Sequence, residues 1–240
     1  MKLLESQGPT PRNLTIAWLL AFGGILFAMG RMCYPIADIW RFCAITTSSV
    51  SMLLVGTWVW RCWYPNRIDL FSVSGWRVVV PTLLILELAL CIINVPHLGL
   101  SWASSPTTAL TDLPYFLCLI ALTEELWFRG IWFEMWRGRP FMCIGVGSLL
   151  FGAIHIATSS SHPISAFFFG LVFAAARNRG ASIGVLVIGH GLLDWVNATC
   201  MHWTPRFGPA INLTVIWLTC VAVTAILLLP GRPRIHAAEV

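Results

Sequence analysis

Apolar residues follow one another in long stretches along almost the whole chain, and short polar segments separate them. A helix needs about 20 mostly apolar residues to cross the hydrocarbon core of a bilayer. Eight stretches approach this length, and the sixth is the shortest: residues 14–30, 42–60, 78–95, 113–136, 141–157, 163–176, 181–200 and 210–229. The pattern predicts an all-α protein, a polytopic membrane bundle of about eight transmembrane helices.

Basic residues lie unevenly between these stretches. If both termini are placed on one side and the loops alternate, that side holds Lys2, Arg12, Arg61, Arg67, Arg77, Arg137, Arg139, Arg177, Arg179, Arg232 and Arg234. The other side holds Arg31, Arg41 and Arg206. Cytoplasmic loops of membrane proteins are enriched in lysine and arginine. The asymmetry predicts cytoplasmic termini, and the compact chain without organelle signals favours a bacterial cell membrane.

The composition agrees with this topology. The chain of 240 residues is 58% hydrophobic and 10% charged, whereas soluble domains carry about 25% charged residues. Its length suits a single integral-membrane domain over residues 1–240. The net charge of +5 is scattered between apolar segments, so nucleic acid is not an expected partner. The eight cysteines stand singly, mostly inside apolar stretches, and predict neither disulfides nor a cysteine metal site.

The ionisable residues that are candidates for chemistry lie in three of the predicted membrane helices. Glu124, Glu125 and Arg129 lie in the fourth helix, His155 in the fifth, and His190 and Asp194 in the seventh. A charged side chain at the centre of a bilayer costs roughly 2.5–3.5 kcal/mol on insertion scales. A chain that accepts this cost repeatedly is typical of proteins that carry out chemistry or transport there.

The two glutamates are predicted to have different tasks. Glu125 and Arg129 are spaced i,i+4, so they share a helix face and can pair. Glu124 lies about 100° around the helix from its neighbour and remains free to take a proton. The alternative is a purely structural ion network, which is less attractive because one arginine cannot compensate two carboxylates.

The histidines complete a candidate hydrolytic site. Phe151 precedes His155 by four residues, and His190 precedes Asp194 by four. A glutamate beside a histidine can activate water, with the carboxylate as general base, and a second histidine pair can hold an oxyanion. The residues therefore indicate hydrolysis within the membrane, although other buried acid–histidine clusters move protons instead.

Three remaining features have plainer interpretations. Glu87, within the third predicted helix, is expected to have a structural or interhelical role, and Asn197 is expected to hydrogen-bond locally. Glycines in the fifth and seventh helices, among them Gly152 and Gly191, suit close helix approach. That approach would bring His155 and His190 within reach of one another.

The motifs Glu124-Glu125-xxx-Arg129, Phe151-xxx-His155 and His190-xxx-Asp194 resemble those of the CPBP (CAAX protease / Abi) family. That family contains type II CAAX prenyl proteases and bacterial proteins of bacteriocin processing or self-immunity. Each motif alone is weak, but all three in this order within an eight-helix chain are specific. The resemblance covers about residues 113–200, the expected catalytic core.

The resemblance implies an intramembrane endopeptidase with assigned site residues. Glu124 and His155 would activate water, His190 and Asp194 would stabilise the oxyanion, and Glu125, Arg129 and Phe151 would support the site. Asp194 departs from the CAAX proteases, which typically have asparagine there. An ionised aspartate cannot donate a hydrogen bond, so it must be protonated, orient His190 or ligate a metal.

Cofactor and substrate follow from the same resemblance. No cofactor is expected if the mechanism is glutamate-dependent, whereas a metal-dependent version would place a divalent ion such as zinc on His155, His190 and Asp194. The expected partners are a membrane-associated peptide or protein substrate and the lipid bilayer. A non-enzymatic immunity or chaperone-like protein that retains the polar core is the alternative from a different class, and a proton-coupled transporter fits poorly without an inverted repeat.

Overall fold

The computed structural model describes residues 38–64, 69–72, 74–94, 106–155, 162–200 and 207–229. These residues form helices and connecting turns, with no β-strand among them, so the all-α prediction is confirmed. The chain divides into two compact units, Met1–Ser48 and Ser49–Val240. All three motifs belong to the second unit. The predicted helix at 14–30 lies outside the described residues.

Seven helices are described in chain order. They are α1 (Asp38–Trp63), α2 (Trp76–Asn94), α3 (106–135), α4 (141–154), α5 (His162–Asn178), α6 (183–200) and α7 (Pro209–Leu228). Each coincides largely with one of the predicted apolar stretches. The largest difference is in α3, which begins at Pro106 rather than at residue 113.

Two segments of these helices are long and apolar enough to cross a membrane, judged by length and composition alone: Trp76–Ile93 in α2 and Ala210–Leu228 in α7. Apolar helices of fewer than 18 residues cover Phe141–Ile154, Pro163–Asn178 and Ile183–Thr199. The all-helical, apolar character is therefore established for the described residues. The count of eight spans stays a prediction.

Helix α5 lies at the centre of the packing. Its sequence is apolar on every side, which is typical of a helix buried all round. It contributes to three separate groups of buried side chains: Phe173 packs with Val79 of α2 and Leu186 of α6, Val172 packs with Cys220 of α7, and Ala174 packs with residues of α4. The motif-bearing helices α4 and α6 are thus held against a common neighbour.

Helix α3 is not uniformly α-helical. After Pro114 the segment Tyr115–Ala121 has the wider π-helical turn, and so does Leu126–Ile131. Proline lacks the N–H that continues the α-helical hydrogen-bond pattern, which accounts for a change of winding there. The two glutamates lie in the short α-helical segment Leu122–Glu125 between the two wide turns. Such turns occur frequently at functional sites.

Glycines set the separation of the motif-bearing helices. A Cβ atom at Gly152 of α4 would lie 2.6 Å from the carbonyl oxygen of Pro163 in α5. A Cβ atom at Gly191 of α6 would lie 3.0 Å from the Cα atom of Leu117 in α3. Backbones approach this closely only where no side chain intervenes, so the expected close packing at both glycines is present.

The start of α6 is fixed by side-chain hydrogen bonds. Ser182 caps the helix, since its hydroxyl oxygen accepts from the backbone N–H of Val185 at 3.3 Å. The same hydroxyl donates to the carbonyl oxygen of Ser72 at 2.6 Å. Asp69 accepts from the buried guanidinium of Arg177 at 2.9 Å and from the N–H of Ile183 at 3.3 Å. These contacts fix the register of the helix that carries His190.

Candidate active site

The side chain of Glu124 lies between two imidazole rings. Its Oε1 atom is 3.7 Å from Nε2 of His155, and its Oε2 atom is 3.6 Å from Nε2 of His190. Its side chain keeps 15% exposure, so a water-sized molecule reaches it. Both separations exceed a direct hydrogen bond, as is common for catalytic contacts before substrate binds. The three helices α3, α4 and α6 therefore meet at this carboxylate.

Glu125 faces the interior, and its side chain is completely buried. Its Oε1 atom accepts hydrogen bonds from Arg129 at 3.0 Å and from Nδ1 of His190 at 2.8 Å. The Arg129 guanidinium also donates to the carbonyl oxygen of Gly170 in α5 at 3.2 Å. The adjacent glutamates thus occupy different environments, one in an ion pair and one beside both histidines.

Asp194 completes the polar cluster on α6. Its Oδ2 atom is 3.3 Å from Nε2 of His190, one helical turn earlier. The aspartate side chain is the most accessible of the cluster, at 36% exposure. All four residues predicted to be catalytic are therefore brought together.

Phe151 supports the site through its backbone and its ring. Its carbonyl oxygen lies 2.8 Å from Nδ1 of His155, and its ring packs edge-on against that imidazole with centroids 4.9 Å apart. The Arg129 guanidinium carbon lies 4.4 Å from the centroid of the Phe151 ring, which is within the range of a cation–π contact. The ring thus separates the buried ion pair from His155.

Hydrogen-bond partners decide the orientation of both imidazoles. A backbone carbonyl only accepts, so His155 carries a proton on Nδ1 and presents Nε2 to Glu124. Glu125 is paired with Arg129 and accepts a hydrogen bond from Nδ1 of His190. Nε2 of that ring therefore faces Glu124 and Asp194. The partner of one ring nitrogen fixes the function of the other. Both Nε2 atoms therefore face the same small space.

A cavity of about 450 Å³ adjoins this cluster. His155, His190 and Asp194 line it, and Asn197 and Ser165 are its other polar side chains. The remainder of its wall is apolar: Leu90, Phe116, Phe151, Ala166, Phe169, Phe173, Leu193 and Ala198. Ligand sites commonly combine such an apolar wall with a few convergent polar groups.

The geometry of the donor atoms bears on whether the site could hold a metal ion. Within the part of the chain that the structure describes, no group of three or more His, Cys, Asp or Glu side chains has the arrangement of a metal site. Nδ1 of each imidazole is held by an acceptor in the protein and each Nε2 faces carboxylates, an arrangement that metal-ligating histidines also have. The glutamate-dependent and the metal-dependent forms of the reaction therefore both stay predictions.

Several neighbours of the site had no clear signal in the sequence. Gly170 offers its carbonyl to Arg129, and the Phe173 ring lies with its centroid 5.2 Å from that of His190. Both residues come from the apolar helix α5, where only a glycine within a run of phenylalanines marks a special position. Asn197 donates to Glu87 at 2.9 Å, which agrees with the interhelical role expected of that glutamate.

Residues 106–196 match the family model described as "Type II CAAX prenyl endopeptidase Rce1-like". This segment, which is less than half of the chain, is similar to the core of the CAAX protease family. The match extends from the start of α3 into α6 and includes every residue of the cluster. It confirms the resemblance found in the three motifs. Neither the curated proteins nor the solved structures contain a match to the chain.

Proposed function

We propose that the protein is an intramembrane endopeptidase that hydrolyses a peptide bond of a membrane-associated substrate. The single observation that carries the proposal is the position of Glu124, whose two carboxylate oxygens each face the Nε2 atom of a histidine. A water molecule that donates to a carboxylate oxygen and to Nε2 of His155 is oriented and activated for attack. The family match supports the same class of reaction.

The proposed reaction uses the carboxylate first as base and then as acid. Glu124 takes a proton from water while the water oxygen bonds to the carbonyl carbon of the substrate. The resulting oxyanion is stabilised by a proton on Nε2 of His190. The C–N bond then breaks, and the leaving nitrogen receives the proton held by Glu124. General acid–base catalysis of this kind contributes typically 10²–10⁴-fold to the rate.

The remaining polar residues are proposed to prepare His190. Glu125 accepts from Nδ1, so it fixes the ring orientation and favours a proton on the opposite nitrogen. Asp194 lies 3.3 Å from Nε2 and is positioned to orient the ring rather than to donate to the oxyanion itself. Arg129 compensates the charge of Glu125. These contacts support the orienting role of Asp194 over a direct oxyanion role.

We propose that this reaction takes place in a membrane. The family supports a membrane-embedded protein that acts on membrane-associated protein substrates, and the apolar helices agree with it. The finer topology, eight spans with both termini in the cytoplasm of a bacterial cell, is part of the proposal. A prenylated CAAX peptide is the first substrate to test, because the apolar wall of the cavity suits a lipidated or apolar peptide.

The test is cleavage of a quenched fluorescent prenylated CAAX peptide, alongside a set of unmodified apolar peptides, by purified protein in proteoliposomes. Glu124→Gln and His155→Ala are expected to lower kcat by at least about 100-fold and to leave membrane insertion unchanged. Glu134→Gln is the matched control on α3, because Glu134 pairs with Arg137 outside the cavity, and it is expected to cleave normally. Undiminished cleavage by Glu124→Gln would reject the proposal and favour a non-enzymatic role for the polar core.

Chelation separates the glutamate mechanism from the metal-dependent alternative. Cleavage and thermal stability are expected to be the same with and without a strong chelator, because the donors near Glu124 contact one another and do not form a metal-binding group in the described chain. A loss of cleavage on chelation that zinc restores would instead favour the metal-dependent enzyme.

A further inference from the structure

A second polar pair lies beside the cavity, away from the histidines. Asn197 of α6 lines the cavity, and its Nδ2 group donates to Oε1 of Glu87 in α2 at 2.9 Å. The same Nδ2 group donates to the carbonyl oxygen of Leu193 at 2.7 Å. The proposed reaction uses neither Asn197 nor Glu87. A carboxylate placed within an apolar helix is costly, so the pair needs an explanation.

The two partners fix the orientation of the Asn197 amide. A carboxylate oxygen and a backbone carbonyl oxygen both accept hydrogen bonds, so Nδ2 must face them and both of its hydrogens are used. The remaining polar atom of the side chain is Oδ1, which only accepts. The described residues provide no donor for it. An acceptor is therefore held in a fixed orientation on a side chain of the cavity wall.

The position of Asn197 relates it to the catalytic cluster. His190, Asp194 and Asn197 are spaced i, i+4 and i+7, so they follow one face of α6, and all three line the cavity. Seven residues of helix rise span about 10 Å. An extended peptide advances about 3.3 Å per residue. A substrate strand along this face would bring a residue about three positions from the scissile bond next to Asn197.

The charge of the pair decides which substrate group fits. Oε2 of Glu87 is buried, has no hydrogen-bond partner among the described residues and does not belong to the cavity wall. The group that the pair presents to a substrate is therefore the acceptor Oδ1 of Asn197, with a carboxylate behind it. A substrate carboxylate would be repelled, whereas a donor would be attracted. In an extended peptide the donor that recurs at every position, whatever the side chains, is the backbone N–H.

We propose that Asn197 is a substrate-binding residue whose Oδ1 accepts the backbone N–H of a substrate residue about three positions from the scissile bond, and that Glu87 is the positioning residue that holds its amide. This inference rests on the proposed endopeptidase function and specifies how the same cavity sets the register of its substrate. Because a CAAX peptide ends in a free carboxylate three residues after its cysteine, the inference predicts that Asn197 lies beside the part of the strand that precedes the scissile bond.

The experiment combines variants of the protein with ester substitutions in the substrate. A series of the prenylated CAAX peptides is made in which one backbone N–H at a time is replaced by an ester oxygen. With the wild-type protein, one ester position two to four residues from the scissile bond is expected to lower kcat/KM about tenfold. In Asn197→Leu, KM is expected to rise about tenfold with kcat within twofold, and the penalty at that ester position disappears.

Further variants distinguish a positioning role of Glu87 from a purely structural one. Glu87→Gln keeps an acceptor for the Asn197 amide and is expected to behave like wild type, whereas Glu87→Leu is expected to raise KM as Asn197→Leu does. Thr199→Val is the matched control. Thr199 lies in the same helix segment as Asn197, but its side chain does not line the cavity. If Asn197→Leu does not fold, Glu87→Leu takes its place in the ester series.

A measurement of peptide binding tests the inference independently of cleavage. Anisotropy of a labelled peptide is measured on Glu124→Gln and on the double variant Glu124→Gln/Asn197→Leu. A tenfold weaker Kd in the double variant, confined to the peptide that has the critical N–H, supports the inference even if the wild-type protein cleaves nothing and the proposed function fails. Equal Kd values, or the same ester penalties in wild type and Asn197→Leu, would overturn it.

Discussion

At the scale of single residues, two adjacent glutamates occupy opposite environments. Glu125 is fully buried and shared between Arg129 and His190, whereas Glu124 remains partly accessible between both imidazoles. The i,i+4 spacing predicts the pair of Glu125 with Arg129, and the structure contains it. The hydrogen bond between His190 and Glu125 was not predicted, because the two residues lie on different helices and are 65 residues apart in the chain.

This difference leads to a prediction about stability. Glu125→Gln leaves the Arg129 guanidinium buried without a compensating charge, and breaking a buried pair in this way typically costs about 3–5 kcal/mol. The free energy of unfolding in detergent is therefore expected to fall by about that amount, together with the loss of cleavage that follows from a misoriented His190.

The control for this prediction lies on the same helix. In the pair between Glu134 and Arg137 the glutamate side chain is also buried, at 5% exposure, but the guanidinium is 63% exposed. Glu134→Gln leaves a guanidinium that water can solvate, so it is expected to cost less than Glu125→Gln. Glu124→Gln should also unfold much like wild type while losing activity. Equal stability of Glu125→Gln and Glu134→Gln would show that the buried ion pair has no structural role.

At the scale of elements, close packing at glycines controls the site. Helix α4 ends at Ile154, and His155 follows directly in a turn. Its separation from α5 is set at Gly152, where a Cβ atom would meet the backbone carbonyl of Pro163. A backbone atom cannot move aside as a side chain does, so the helices themselves must separate.

Gly152→Ala is therefore expected to lower the free energy of unfolding by about 1–3 kcal/mol, as overpacking typically does. It should also move His155 away from Glu124, and displacements of about 1 Å lower rates by about 100-fold. Thermal unfolding and kcat of the purified variant measure both effects.

Gly145 provides the comparison on the same helix. A Cβ atom there meets only the Phe141 ring at 3.4 Å, and that ring is itself exposed. Since alanine favours a helix by about 1 kcal/mol over glycine, Gly145→Ala is expected to be neutral or stabilising and fully active. If both variants behave alike, helix separation at Gly152 does not control the position of His155.

At the scale of the whole molecule, the membrane topology follows from the sequence and stays a prediction. Two of the described helices are long enough to span a bilayer by length and composition, while α4, α5 and α6 are shorter, apolar and packed around the site. Short inner helices are compatible with a bundle whose polar centre is surrounded by protein, because unsatisfied groups are tolerated only away from lipid.

Reporter fusions in a bacterial host test this topology. Alkaline phosphatase, which is active only outside the cytoplasm, is expected to be active when fused after residue 104 and inactive when fused after residue 139 or at the end of the chain. A fluorescent protein at the end of the chain should give the reverse result. An active phosphatase at the last position would mean an odd number of spans or an opposite orientation.

The amino-acid sequence by itself determined the helices, their apolar character and which ionisable residues are candidates for the site. These depend on local properties: the length of apolar stretches, the i,i+4 spacing within a helix and the types of side chain in each motif. Residues such as Glu124, His155 and His190 were therefore identifiable without coordinates.

Only the tertiary structure decided which of these groups touch. Three hydrogen bonds join different helices: His190 donates to Glu125, Arg129 donates to the carbonyl oxygen of Gly170, and Asn197 donates to Glu87. Their geometry depends on how closely the helices pack and on the wide turns in α3, which alter the direction of side chains along that helix. A sequence records the spacing within a helix, whereas packing between helices is a collective property of many distant side chains.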